Sequence, residues 1–340
     1  MKDIIFAPNG FYSPESELLC TISHKMILEK DVDIYNCAGG FSCPSNPFAL
    51  NAICALCKNK QNQYFEEMNS NNSNYKISRK FIYPVNSNNN VKNIKESDDI
   101  RSIEHRGSDS GYATLSTYIA LTRDFEPNTK DTFTLGFLNG LMSTYTQHFD
   151  FFDHILKTEE VDRIHLWNGR MNTTRAVLRA AQSNSVDAIC HESAGRDDRF
   201  TFFENVLPHN IKYKQTQVEK IYLSFAHEAE DIARQYYTSK MHGEAINDVS
   251  YVGAQNKGEL PADWSSDAKK IVFFSSSEDE YKSISKEWES GLFNDQLKAI
   301  MALCELSDDD AKVFVRVHPN IRGASSKYKK QIMELSHPKL

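Results

Sequence analysis

Short apolar runs alternate along this chain with segments whose apolar residues recur at helical spacing, and this order constrains the fold more than any other feature. The runs are residues 4–7, 32–35, 163–167, 186–190, 271–274 and 313–317. Strands that alternate with helices are typical of parallel sheets covered by helices. We therefore predict an α/β fold with two Rossmann-like domains at residues 1–252 and 268–340. Residues 253–267 have Gly, Pro and polar residues without a period and form the predicted linker.

Helices are predicted between these runs from the spacing of their apolar residues. The first lies near residues 19–26 and the last near residues 297–304, and each joins two strand-like runs. A helix at residues 173–182 is predicted to start with Asn172 and Thr173 as N-cap residues. A longer helix at residues 217–237 has one apolar stripe and is expected to close the first domain.

The charge and the apolar runs of the chain argue against nucleic acid and a membrane as its main partners. The chain has 39 Lys and Arg against 46 Asp and Glu, a formal charge of −7, and no basic block that would bind nucleic acid or an acidic membrane. The run at residues 4–7 is too short for a signal peptide, and no run approaches the roughly 18 residues of a membrane span. We expect a cytoplasmic protein that binds a small molecule and makes at most peripheral contact with a membrane.

Polar loops follow four of the predicted strands directly. They are Asn168-Gly169-Arg170, His191-Glu192-Ser193, Ser275-Ser276-Ser277 and His318-Pro319-Asn320. Ligands of parallel α/β sheets bind at the carboxyl ends of the strands, where such loops meet the N-termini of helices. Because the first two loops follow consecutive strands, we expect them to lie side by side. Loops of this kind suit a nucleotide-sugar.

Arg170 and Glu192 are the main candidates for chemistry in the first domain. Arg170, next to the permissive Gly169, is placed to hold a phosphate or a carboxylate. Its alternative role is a structural ion pair with Glu192. Glu192 and His191 are candidates for the general base that takes a proton from an acceptor hydroxyl, and Asp109 is a third candidate.

The last strand-like run ends at His318, and the following Pro319 restricts the backbone of this histidine. A histidine in this position is able to donate a hydrogen bond to a phosphate oxygen of a leaving nucleotide, which needs no metal ion. The alternative is a solvent-facing strand end without a function. The residue pattern alone does not separate the two.

Six segments form an ordered pattern along most of the chain. They are Leu166-Trp167-Asn168-Gly169-Arg170, Cys190-His191-Glu192, Pro208-His209-Asn210, residues 272–281, Asp295-Gln296 and Arg316-Val317-His318-Pro319-Asn320. Together they resemble the GT-B glycosyltransferases that make capsule and O-antigen polysaccharides. The resemblance implies that the second domain binds the donor and the first meets the acceptor. The predicted donor-binding residues are Ser275, Ser276, Arg316, His318 and Asn320, joined by Asn168, Gly169 and Arg170.

The resemblance implies transfer of a sugar from a nucleotide-sugar to a lipid-linked or growing capsule or O-antigen glycan, without a catalytic metal. Such enzymes continue after Asn320 with further strands, whereas this sequence ends at Leu340. We therefore expect an incomplete second domain and low activity of the chain alone. Two other functions stay open: a nucleotide-sugar epimerase of similar architecture, and a noncatalytic binding or assembly subunit.

Four of the seven cysteines are close in sequence: Cys37, Cys43, Cys54 and Cys57. The Cys54–Cys57 pair has the spacing of half a zinc site, whereas the Cys37–Cys43 pair is more widely spaced. The pattern fits a structural zinc, with buried unlinked thiols as the alternative. The other three cysteines lie on apolar runs and are expected in the core: Cys20, Cys190 and Cys304.

Overall fold

The chain divides into two compact units. The computed structural model describes residues 2–11, 31–70, 77–85, 93–194, 200–242, 244, 258–265, 267–289, 292–293, 295–323 and 326–340. One unit consists of Met1–Leu121 and Glu126–Lys214, and the other of Thr122–Phe125 and Gln215–Leu340. The first unit therefore ends earlier than the predicted domain of residues 1–252. Within the predicted linker, Trp264 packs on Phe314 of the second unit, with ring centroids 5.0 Å apart.

A six-stranded sheet forms the centre of the first unit. Its strands are β1 (Lys2–Phe6), β2 (Val32–Cys37), β3 (Ile77–Ile82), β4 (Val161–Trp167), β5 (Asp187–Ser193) and β6 (Phe200–Glu204). The order is β3-β2-β1-β4-β5-β6, and every pair is parallel except β5 with β6. This is a Rossmann-like order in which the direction of winding reverses between β1 and β4. The predicted α/β fold is confirmed here, and β3 and β6 are strands that the sequence pattern does not predict.

Helices cover both faces of this sheet. They are α1 (Asn51–Ser70), α2 (Ser110–Thr122), α3 (Thr132–Thr158) and α4 (Asn172–Ser183). The main core lies on one face, where Phe149 of α3 and Leu178 of α4 join a cluster that includes Ile4. Phe65 of α1 packs on the other face, in a smaller cluster with Ile5. The helix predicted near residues 19–26, with Cys20, lies outside the described residues.

Helix α4 begins differently from the prediction. Met171 is the N-cap residue and its side chain makes no capping bond. Asn172 is buried inside the first turn, and its amide donates to the carbonyl oxygens of Ser42 and Leu141 at 3.0 Å each. The predicted N-cap roles of Asn172 and Thr173 are therefore wrong, because the Asn172 amide bonds to neighbouring segments instead of its own helix.

The single helix predicted at residues 217–237 is two helices. They are α5 (Ile211–Ser224) and α6 (Ala226–Met241), separated by Phe225 at φ −139° and ψ 42°. Ser224 Oγ donates to the carbonyl oxygen of Lys220 at 3.0 Å, a bond by which serine competes with the helix backbone. The residues of the predicted apolar stripe are exposed: Val218, Ile221, Tyr222, Phe225, Ile232 and Tyr236. The prediction of one helix with a packed apolar face is therefore wrong.

The second unit contains a two-stranded parallel sheet within its described residues. Its elements are β7 (Lys269–Phe274), α7 (Gln296–Leu306), β8 (Ala311–Arg316) and α8 (Ser326–Met333). Asp295 caps α7 and accepts a hydrogen bond from the N–H of Lys298 at 2.8 Å. Ile300 and Cys304 are buried on α7, as their spacing predicts. The strand-helix-strand order is confirmed, and a second Rossmann-like domain stays a prediction.

Candidate functional site

The turn after β4 is built on two residues in the left-handed backbone region. Asn168 has φ 55° and Gly169 has φ 74°. A Cβ on Gly169 would lie 2.9 Å from Cys190 Sγ, so both the backbone and the available space favour glycine. Asn168 Oδ1 accepts a hydrogen bond from the N–H of Arg170 at 3.0 Å. The turn thereby places Arg170 just before α4, at the carboxyl edge of the sheet.

Glu192, near the end of β5, meets this turn. The side-chain amide of Asn168 donates to Glu192 Oε2, and the Asn168 N–H donates to the carbonyl oxygen of His191 at 2.8 Å. The other carboxylate oxygen of Glu192 accepts from the N–H of Ser193 at 3.0 Å. The two segments therefore lie side by side as expected, but the predicted loop His191-Glu192-Ser193 is wrong, because these residues continue strand β5 and pair with β6. Both oxygens of the Glu192 carboxylate are oriented by donors while its side chain is only partly buried.

A positive field surrounds the start of α4. Burial, followed by the charges of Arg170 and Lys214, lowers the pKa of His209 to about 4. The backbone N–H groups of the first helical turn add a partial positive charge at the same end of α4. Arg170 and Lys214 therefore add positive charge close to His209, and the Glu192 carboxylate bonds to Asn168 of the same turn.

His191 is enclosed on the sheet and does not share the position of Glu192. Its side chain is buried, its Nε2 lies 2.9 Å from Nδ1 of His165, and its ring packs edge-on against Phe202. Burial, and then the charge of His165, lowers the pKa of His191 to about 3. A substrate hydroxyl cannot reach a ring held in this way, which argues against the predicted role of His191 as a base.

Asp109 is held by two arginines of α4. Arg179 Nε and Nη2 donate to the two carboxylate oxygens at 2.7 and 2.6 Å, and Arg175 also bonds to both. Burial would raise the pKa of Asp109, but the bonds and charges of Arg179 and Arg175 outweigh it and hold the pKa far below its usual range. A carboxylate so strongly stabilised is a weak proton acceptor. Asp109 therefore serves as the counter-ion of the fully buried Arg175, not as a base.

Ser275 and His318 meet at the carboxyl edge of the sheet in the second unit. The N–H of His318 donates to Ser275 Oγ at 2.9 Å, and the N–H of Ser275 donates to the carbonyl oxygen of Arg316 at 3.0 Å. The N–H of Asn320 donates to His318 Nδ1 at 3.2 Å. Because Nδ1 accepts this bond, a neutral His318 ring has its proton on Nε2. The ring is thereby set to donate through Nε2.

The other predicted donor-binding residues of the second unit are Ser276, Asn320 and Arg316, and each has different contacts. Gln296 Oε1 accepts from the N–H of Ser276 at 2.7 Å, and Gln296 Nε2 donates back to the Ser276 carbonyl oxygen at 2.9 Å. The side-chain amide of Asn320 donates to Glu280, and the Arg316 side chain is exposed. Gln296 belongs to the predicted Asp295-Gln296 segment but is not among the predicted donor-binding residues. Its position directly after the helix cap Asp295 is the signal that could have indicated a role.

The four clustered cysteines are free thiols in one region of the first unit. Cys37 is the last residue of β2, Cys43 lies in the following loop, and Cys54 and Cys57 lie in the first turns of α1. Burial raises the pKa of both Cys37 and Cys43 to about 12. In the described segments, no set of three or more His, Cys, Asp or Glu side chains already stands at metal-binding spacing. The other two described cysteines, Cys190 and Cys304, are buried in the core as predicted.

Comparison with known proteins gives no relative for this chain. No family model, no curated protein and no solved structure matches it. Among the helices in the described ranges, none combines the length and the apolar content that crossing a bilayer requires. A functional assignment therefore depends on the residues at the carboxyl edges of the two sheets.

Proposed function

We propose that this chain is a glycosyltransferase of the GT-B type, which transfers a sugar from a nucleotide-sugar to a capsule or O-antigen acceptor. One observation carries the proposal. In each unit, polar groups at the ends of neighbouring parallel strands meet at the carboxyl edge of the sheet: Asn168 with Glu192, and Ser275 with His318. This edge is where α/β sheets bind nucleotides and related ligands.

The second unit supplies the groups that suit a nucleotide-sugar. His318 has a ring that donates through Nε2 and a backbone fixed by Ser275. A donor held in this way stabilises charge on a phosphate oxygen as the sugar leaves, because it need not reorganise during the reaction. The exposed guanidinium of Arg316 adds a positive charge after the same strand.

The first unit supplies the groups that suit an acceptor. Glu192 has both carboxylate oxygens oriented, by Asn168 and by Ser193, and a side chain that solvent still reaches. A carboxylate fixed in this manner is able to take the proton of an attacking sugar hydroxyl. Arg170 favours an anionic group such as the phosphate of a lipid-linked acceptor. The proposal places the chain in the cytoplasm, in peripheral contact with the inner membrane.

Titration calorimetry with UDP-, GDP- and CMP-linked sugars tests the proposal. We expect at least one of them to bind, and we expect His318→Ala to weaken its binding by about 10- to 100-fold, the loss of one hydrogen bond to a charged group. His337→Ala is a matched control, because His337 also precedes a proline and accepts a bond on Nδ1 from the N–H of Lys339 at 3.1 Å. Failure of all the nucleotide-sugars to bind, or an equal loss in both variants, would contradict the proposal.

A further inference from the structure

The cysteine cluster of residues 37–57 has a feature that the proposed function does not use. Gly39 and Gly40 have φ 99° and 82°, and their turn starts at Cys37. The Gly39 N–H donates to Cys37 Sγ at 3.2 Å, while a Cβ on Gly39 would lie 3.5 Å from Cys54 Sγ. The sulfurs of Cys37 and Cys54 therefore lie on the same glycine turn.

N–H groups also point at the sulfurs of the two helical cysteines. Gly40 N–H and Asn46 Nδ2 donate to Cys54 Sγ at 3.4 and 3.1 Å. Gly10 N–H, from the loop after β1, donates to Cys57 Sγ at 3.1 Å. A neutral thiol is a weak acceptor, whereas an ionised sulfur is a strong one. The N–H groups thus lie where they would hydrogen-bond to sulfurs that a bound cation holds ionised.

Cys43 completes the set. Backbone N–H groups of Ser45 and Asn46 interact with its sulfur, and its own N–H and C=O exchange hydrogen bonds with Asn46 at 3.2 and 3.0 Å. Cys43 interacts electrostatically with Cys37 and Cys57, and Cys37 interacts with Cys54 and Cys57. N–H donors therefore face all four sulfurs.

We propose that Cys37, Cys43, Cys54 and Cys57 together bind one thiophilic divalent cation of the zinc class. Four sulfur ligands in a tetrahedral arrangement select Zn²⁺ or iron, with metal–sulfur distances of about 2.3 Å for Zn²⁺. The N–H donors and the N-terminal end of α1 offset the excess negative charge of four thiolates around one divalent cation. Cation binding would have to bring the sulfurs to the spacing of a tetrahedral site, which no set of three or more such side chains in the described residues already has.

The site would fix the segment that supports the start of α4. Ser42 precedes Cys43, and its carbonyl oxygen accepts from the buried amide of Asn172 at 3.0 Å. Asn172 is the first residue of α4, and Arg170 lies two residues before it. A cation on the four sulfurs would therefore order the loop after β2, the start of α1 and, through Ser42, the first turn of α4.

Metal analysis and a cobalt titration test the proposal on the full chain. We expect the protein purified without chelator to contain one equivalent of zinc or iron, and elemental analysis identifies which. After removal of the metal under reducing conditions, Co²⁺ is expected to bind at one equivalent, with the sulfur-to-cobalt charge-transfer and intense ligand-field bands of a tetrahedral thiolate site. Zn²⁺ should displace it and protect four thiols from a thiol reagent.

Cysteine variants test whether the cobalt bands come from this site or from other thiols of the chain. Cys54→Ser/Cys57→Ser should lose the cobalt bands, whereas Cys304→Ser, which removes a buried thiol of the second unit, should keep them. Cys43→Ser serves as a single replacement in case the double variant is unfolded by circular dichroism. Cobalt bands that persist in these variants, a folded chain that binds no Co²⁺ at stoichiometric concentration, or disulfide formation in place of metal binding would overturn the proposal.

Discussion

The first strands of the two units, β1 and β7, are both short apolar runs, yet their burial differs. Phe6, the last residue of β1, is fully buried, whereas Phe274, the last residue of β7, is 76% exposed. β1 has a strand on each side and helices on both faces of its sheet, while β7 pairs with β8 alone within the described residues. An apolar run thus predicts that a strand forms, but the burial of that strand depends on neighbours that are distant in sequence.

The ion pairs of the two units also differ in burial, with the more buried pair in the first unit. Asp109 in the first unit pairs with Arg175, which has no exposed side-chain surface. Asp308 in the second unit pairs with Lys269 at 2.7 Å, and both side chains are more than half exposed. A buried charge depends on its partner for stability, whereas an exposed pair contributes little.

Replacement of Phe6 and Phe274 by alanine tests the difference in burial between β1 and β7. We expect Phe6→Ala to lower the free energy of unfolding of the first unit by about 4 kcal/mol, because it removes contacts with Phe152 and leaves a cavity. Phe274→Ala should change the stability of the second unit by no more than about 0.5 kcal/mol. Urea unfolding measures both, in chains that keep only Trp167 as the probe of the first unit or only Trp264 as the probe of the second, with the other tryptophans replaced by Phe. Equal losses would mean that β7 is as well packed as β1.

Removal of the Asp109 carboxylate tests the buried ion pair. Asp109→Ala is expected to destabilise the first unit by about 3 kcal/mol, since it leaves the buried Arg175 without its counter-ion. The same urea transition, followed by Trp167 fluorescence, measures the loss. A change below about 1 kcal/mol would show that Arg175 finds another partner or reaches solvent.

Low pH should lower the stability of the first unit, because its buried histidines resist protonation in the folded state. Burial lowers the pKa of His148 to about 4, although its bond to the Thr144 carbonyl oxygen opposes the shift. The unfolded chain takes up this proton near pH 6.5, so stability falls as the pH drops from about 6.5 towards 4. Between pH 7 and 5 we expect His148 to contribute a loss of about 2 kcal/mol. His148→Phe should reduce the pH dependence by this amount, and an unchanged dependence would contradict the shift.

The smallest expected effect concerns the exposed pair of the second unit. Asp308→Ala should lower the stability of that unit by less than about 0.5 kcal/mol, and high salt should reduce the difference further. Urea unfolding at low and high salt measures it. A loss comparable to that of Asp109→Ala would remove the contrast between the two ion pairs.

The sequence predicts six of the eight described strands and the helices α4 and α7, because their signals are local. The apolar runs and the helical spacing in residues 173–182 and 297–304 depend on neighbours a few positions away. Helix α2 carries no such signal, since Ser110 through Ile119 are all buried and the apolar residues do not mark one face. The break at Phe225, next to Ser224, is not marked by the apolar pattern.

The candidate site was predictable in its location and less so in its chemistry. Consecutive parallel strands bring their loops together, which is why Asn168 meets Glu192 and Ser275 meets His318. The role of Asp109 depends on Arg175, 66 positions away. The enclosure of His191 depends on His165 and Phe202 from adjacent strands. Such contacts follow from the packing of the sheet and not from the motif in which the residue lies.

The assignment of Glu192 as the base is tested most directly by a single-turnover transfer assay. The chain, in excess over a labelled nucleotide-sugar, is mixed with a lipid-linked glycan acceptor, and labelled product is measured over time. We expect Glu192→Gln to bind the donor within about twofold of the unaltered chain and to transfer the sugar on the order of a hundredfold more slowly. Glu204→Gln, on the paired strand β6, should transfer normally. Near-normal transfer by Glu192→Gln, or no transfer by the unaltered chain, would contradict the account.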